Sequence, residues 1–172
     1  MKKLFTLVGI VLSANAFAQG WNFQAGVGGH LWNISDAVGY GVSVNAGTTY
    51  DFNKVVGARL DFNYDFVGEE RIKRLGLQAN FHLMPLLSEA PSKFGLDVHT
   101  GLGWVNNSNA MYNDGYYFRG DDAWNRTIGI TPTMQLTEKT QLTLDFTLNN
   151  NKKTESQMKN YVNAVVGIRR AF

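Results

Sequence analysis

From Trp21 onward the chain alternates large apolar residues with small or polar ones, in one segment after another. The clearest segment sets Val56, Ala58, Leu60, Phe62, Tyr64 and Phe66 against Gly57, Arg59, Asp61, Asn63 and Asp65. A period of two places the two sets on opposite faces of an extended strand, so each face has its own surroundings. No helical period and no internal repeat competes with this pattern. No apolar run reaches ~18 residues, so a transmembrane helix is not available.

Read by twos, the sequence predicts eight strands: 21–31, 40–52, 56–66, 74–83, 94–104, 124–136, 142–149 and 158–172. All but 142–149, which spans eight residues, are about ten residues or longer, the length that crossing a membrane in strand form requires. Asp51 to Lys54 and Thr137 to Thr140 have turn chemistry, and Val67 to Glu70 reads as a loop. Residues 85–93 form a longer connection, 106–122 the longest loop, and 150–157 a polar loop. Pro132 removes one ladder bond from the sixth strand and predicts a local irregularity there.

The first residues have a different character. Lys2 and Lys3 precede a short apolar core, Leu4 to Leu12, and Ala16-Phe17-Ala18 has the form of a cleavage site. Residues 1–18 therefore read as a cleaved signal peptide and 19–172 as one barrel domain. The chain has 16 Lys and Arg against 14 Asp and Glu, so loss of Lys2 and Lys3 leaves it neutral. No basic field suggests nucleic acid. With no cysteine, a disulfide framework and thiolate chemistry are excluded.

Alternation alone does not say which face is outside, because a soluble barrel hides its apolar face within. Three features choose. The polar face is rich in glycine, and an eight-stranded barrel has room inside only for side chains. That face also carries charges near strand middles, which can pair in a narrow lumen. The aromatics fall at strand ends on the apolar face. Threaded up and down, they make two girdles, as a transmembrane barrel needs. One holds Trp21, Phe23, Tyr50, Phe52, Phe81, Phe94 and Phe172; the other holds Tyr40, Tyr64, Phe66, Trp104 and Trp124.

The last fifteen residues, Met158 to Phe172, alternate to a terminal aromatic and resemble the closing strand of a bacterial outer-membrane barrel. In such strands a C-terminal Phe is part of the signal read by the assembly machinery; Arg170 departs from the usual apolar residue. Across residues 21–172 the chain is similar to the OmpA-like transmembrane domain. Besides the strand count, the likeness rests on Gly101-Leu102-Gly103-Trp104 and on Ile130-Thr131-Pro132 leading through a turn into Leu142-Thr143-Leu144-Asp145-Phe146. The peptidoglycan-binding domain of that family is not expected, and the plan is closer to small OmpX-type barrels. The resemblance implies an all-β, eight-stranded, antiparallel, up-and-down barrel in the bacterial outer membrane. Its implied partners are outer-membrane lipid and lipopolysaccharide, the barrel assembly machinery and periplasmic chaperones.

The candidate functional residues follow from these readings. Arg59, Asp61, Asp97, His99, Asp145 and Arg169 are expected to point inward as a lumenal charge network, acting as interior filling or as a gate. Each Arg is expected to pair with one of the three acids, since an unpaired buried charge is expensive. His30, Ser35 and Asp36 lie close in sequence near the first outer loop, a combination that lipid A-modifying barrels use; they are also ordinary loop residues. His30, His82 and His99 fall at different heights, so no metal site and no cofactor is expected. In the long loop Tyr112, Tyr116 and Tyr117 stand among Asn, Asp and Gly, a composition suited to contacting an extracellular ligand. Lys152, Lys153 and Lys159 near the last loop could meet lipopolysaccharide phosphates. The leading expectation is a small non-enzymatic barrel supporting envelope integrity, at most a minor or gated pore. The alternatives are a surface-binding protein acting through loop 106–122 and a lipid A-modifying enzyme.

Overall fold

The structure, a computed structural model, describes residues 20–34, 37–67, 70–87, 93–107, 112–113, 116–117, 122–152 and 160–172. The segment read as a signal peptide, together with Ser35, Asp36, Lys153 and Lys159, lies outside the described residues.

Eight long strands close into a barrel. They are β1 (Trp21–Ile34), β2 (Ala37–Asp51), β3 (Val56–Val67), β4 (Glu70–His82), β5 (Phe94–Asn107), β8 (Asp122–Thr137), β9 (Thr140–Lys152) and β10 (Asn160–Ala171). Each pairs antiparallel with its sequence neighbour, and β1 pairs with β10 to close the ring, from Asn22 opposite Ala171 to Trp32 opposite Tyr161. Closure leaves no sheet edge, which is the condition for putting strands in lipid. A separate two-stranded ribbon, β6 (Tyr112–Asn113) with β7 (Tyr116–Tyr117), stands between β5 and β8.

At one rim lie both ends of the barrel chain, where Phe172 N–H donates to Trp21 C=O at 3.2 Å, and the connections 52–55, 83–93 and 138–139. The other rim carries the remaining four connections. The longest connection, between β5 and β8, lies on the rim away from the termini; outer-membrane barrels turn their longer loops outward, so the rim with the termini is the periplasmic one.

The strands run farther toward the loop rim than alternation predicts. β1 continues to Ile34, β5 to Asn107, and β4 begins at Glu70, which pairs with Val67 where a loop was expected. Alternation marks only the part of a strand with an apolar face to bury, whereas backbone pairing continues wherever both partners remain extended. A one-turn helix, α1 (Met84–Leu87), occupies the connection 83–93, although no helix was expected. Its Leu86 N–H bonds Leu83 C=O at 3.0 Å, and four residues are too few to show a period. In β8 the ladder with β9 runs Ile130 to Phe146 and resumes at Thr133 to Thr143, skipping Pro132.

Burial is inverted relative to a soluble protein. Phe62, Leu77, Leu102, Ile128, Leu144 and Val166 are exposed at strand middles, while Asn63, Asp61, Thr131, Asn125 and His99 are fully buried. A large exposed apolar band is costly in water and favourable in a bilayer. The glycines explain how the inside fits. A Cβ at Gly41 would stand 2.5 Å from the His30 ring, and one at Gly129 would collide with His99. Each of these glycines is the direct cross-strand partner of the histidine it accommodates.

Candidate functional site in the barrel lumen

The inward face of β1–β5 and β8–β10 builds a layered polar core. Near the periplasmic rim Arg169 Nη1 donates to Asp97 Oδ2 at 2.6 Å, and its Nε and Nη2 donate to Gln24 Oε1 at 3.4 and 3.3 Å. The other Asp97 oxygen meets His82 Nδ1 at 2.7 Å; His82 Nε2 meets Asp51 Oδ1 at 2.9 Å. Asn22 donates to the second Asp51 oxygen at 2.8 Å, so this layer is bridged from β1 through β2, β4 and β5 to β10.

The middle layer centres on Asp145. Arg59 Nη1 and Thr131 Oγ1 donate to its Oδ2 at 2.6 and 3.3 Å, Thr147 Oγ1 donates to its Oδ1 at 2.5 Å, and His99 Nε2 lies 3.5 Å from Oδ1. The next layer centres on Asp61. Arg74 Nη2 and Asn63 Nδ2 donate to its Oδ2 at 3.1 and 2.7 Å, and Gln78 Nε2 donates to its Oδ1 at 2.7 Å. Arg74 Nη1 also donates to Asn149 on the far wall. Toward the loop rim Ser43 donates to Asp65, beside His30. Apolar Ile72, Val105, Ala123 and Tyr161 are buried at the loop-rim ends of their strands, above the polar layers.

All six residues of the expected network point inward and are at most 4 % exposed. Arg59 and Arg169 each hold one of the named acids, whereas Asp61 is held by Arg74, which the sequence reading left out of the network. Arg74 has the parity of Gly76 and Gln78 on the polar face, so reading by twos contained the signal. His82, Asp51 and Asp65 likewise share the inward parity. They were missed because alternation gives a face and not a partner across the lumen.

His30 is 2 % exposed and lies inside the barrel, grouped with Ser43 and Asp65. Both approach the same ring nitrogen: Nδ1 is 3.4 Å from Ser43 Oγ and 3.8 Å from Asp65 Oδ1. A base-activated serine needs the imidazole between hydroxyl and acid, and here the hydroxyl proton goes directly to the acid. Ser43 and Asp65 are fully buried beside the imidazole. Of the loop tyrosines the structure describes only the backbone ribbon, with Tyr112 opposite Tyr117 and Asn113 opposite Tyr116.

The aromatic girdles lie on the outside. Phe23, Phe52, Phe81, Phe94 and Phe172 are exposed around the periplasmic rim, with Phe23 and Phe172 in edge contact at 5.4 Å. At the same rim the Trp21 and Tyr50 rings meet each other at 5.1 Å. Tyr40, Phe66, Trp104 and Trp124 are exposed toward the loop rim, where Tyr64 touches Phe66 at 4.8 Å.

A closed eight-stranded meander, apolar and aromatic-belted outside and polar inside, is a transmembrane barrel of the bacterial outer-membrane class. Solved structures agree with that class. Neisserial surface protein A superposes with a TM-score of 0.68 at 14% identity, over 89% of this chain and 97% of that one. The N-terminal barrel domain of OprF from Pseudomonas aeruginosa gives 0.65 at 14% identity, over 90% and 98%. Ail, the attachment invasion locus protein of Yersinia pestis, gives 0.58 at 12% identity, over 90% and 99%. No protein-family model and no curated protein matches the chain.

Proposed function

We propose that the chain is a small, non-enzymatic outer-membrane barrel that supports the envelope, its lumen closed by a fixed polar core. One observation carries this reading: each buried arginine has its own acid, Arg59 with Asp145, Arg74 with Asp61 and Arg169 with Asp97. A gate in which the arginines exchange partners needs one guanidinium poised between two acids, and therefore two arrangements of similar energy. Here Asp145 and Asp61 are each also held by neighbouring hydroxyl or amide donors, which fixes the pairs in place. Asp97, shared between Arg169 and His82, is held from two sides as well.

The test is conductance in planar bilayers read beside unfolding. The protein and its Arg59→Ala variant should both show leakage near background while the variant loses stability. Stepwise conductance appearing in Arg59→Ala would mean that the pair is a gate and would replace the closed-barrel reading.

A further inference from the structure

The three connections at the periplasmic rim are not alike. The two short ones are closed by their own polar side chains. In 52–55 the Asn53 side-chain oxygen accepts from the Val55 and Val56 N–H groups at 2.8 and 2.9 Å. At 138–139 Thr137 Oγ1 accepts from Lys139 N–H at 3.4 Å. Asn53, Lys54, Glu138 and Lys139 are exposed, as turn residues in water should be. The connection 83–93 is longer and opens on Leu83, Met84, Pro85, Leu86 and Leu87, with no charged, amide or hydroxyl side chain among them.

The start of this apolar run is fixed to the wall. Leu83 N–H donates to Leu96 C=O at 2.8 Å, one step past the last ladder pair, His82 with Asp97. Leu83 has the outward parity of Phe81 on β4, and Leu96 that of Phe94 on β5. α1 therefore leaves the barrel at the level of the periplasmic girdle, with Phe81 before it in the chain and Phe94 after it. No residue of α1 is buried, and Leu86 and Leu87 are 64% and 70% exposed. Phe81 and Phe94 are exposed as well. Such side chains are costly in water and favourable at the boundary of a bilayer.

We propose that α1 is a membrane foot. Leu86 and Leu87 enter the headgroup–acyl boundary of the inner leaflet and hold the β4–β5 side of the rim against it. The occupant is a lipid surface, because the patch continues the girdle through Phe81 and Phe94. Two leucines expose far less than the ~800 Å² per partner that a stable protein–protein interface buries. They also offer no polar group by which a protein partner would be specified. The girdle surrounds the barrel, whereas α1 acts beneath a single strand pair.

The chain has no cysteine, so a single nitroxide label can be placed by Leu86→Cys or Leu87→Cys, and on the two short turns by Lys54→Cys or Glu138→Cys. Barrels are refolded into vesicles of phosphatidylcholine alone, which hold no protein partner, and folding is checked by heat-modifiable electrophoretic mobility. Relaxation of the label by oxygen, which concentrates in lipid, is read against relaxation by a water-soluble nickel chelate. Labels at Leu86→Cys and Leu87→Cys should favour oxygen, at a depth of about 5–10 Å below the headgroup surface. Those at Lys54→Cys and Glu138→Cys should favour nickel. Adding Leu86→Asp should move the Leu87→Cys label out into water while the barrel stays folded, since no residue of α1 is buried. Nickel-dominated relaxation at both α1 positions, as on the short turns, would overturn the proposal and leave the helix to a periplasmic protein partner. So would a Leu87→Cys label that stays in lipid beside Leu86→Asp, because the nitroxide and not the helix would then be making the contact.

Discussion

At Arg59 the cost of burying a charge meets its compensation within one contact, 2.6 Å from Asp145. A buried pair of this kind contributes little net stability compared with apolar filling, but removing one partner strands the other. Arg59→Ala or Asp145→Ala should therefore cost about 3–5 kcal/mol. Arg126→Ala, exposed on the outer wall, should stay within about 0.5 kcal/mol. Reversible urea unfolding in lipid or detergent measures both, and equal losses at Arg59 and Arg126 would remove the interior network from the account. At this scale the sequence showed direction well and partnership poorly. Parity alone turns Arg59, Asp145 and Arg74 inward. That Arg74 takes Asp61 depends on which walls face each other across the lumen, and strand tilt and closure set that.

At the scale of the strand, the alternating pattern is the product of two solvents. Phe62 on β3, Leu77 on β4, Val98 on β5 and Leu144 on β9 are mid-strand on the outer face, and the first, second and fourth are well exposed. Lysine at any of them should destabilise the barrel by about 2–4 kcal/mol, the cost of a charge near the bilayer midplane. Lipid-soluble quenchers should reach labels at these four positions and not at Asp61, Gln78 or Asp145, which are buried in the lumen. Greater water accessibility at Phe62 than at Asp61 would reverse the assignment of faces. The pattern also misplaced strand ends, as at Glu70. Beyond the membrane both faces meet water, so pairing persists after the periodic signal has gone.

At the scale of the molecule, closure depends on β1 meeting β10, sealed at the rim by the Phe172 N–H bond to Trp21 and the edge contact of Phe172 with Phe23. The Phe172 ring is 70% exposed and adds little packing to the folded state. Its resemblance to an assembly signal therefore leads to a split result. Phe172→Ala should sharply reduce insertion in cells while refolding in detergent proceeds to the same heat-modifiable form. Equal loss in both settings would make the residue structural.

The linear chain determined the number of barrel strands, the two faces of each and the belts at their ends, because a period of two is local and survives in any register. Pairing across the lumen and the room each glycine leaves for His30 or His99 were decided only by the closed barrel. Those contacts join residues on different strands, and pairing register, ring closure and shear bring them to one height.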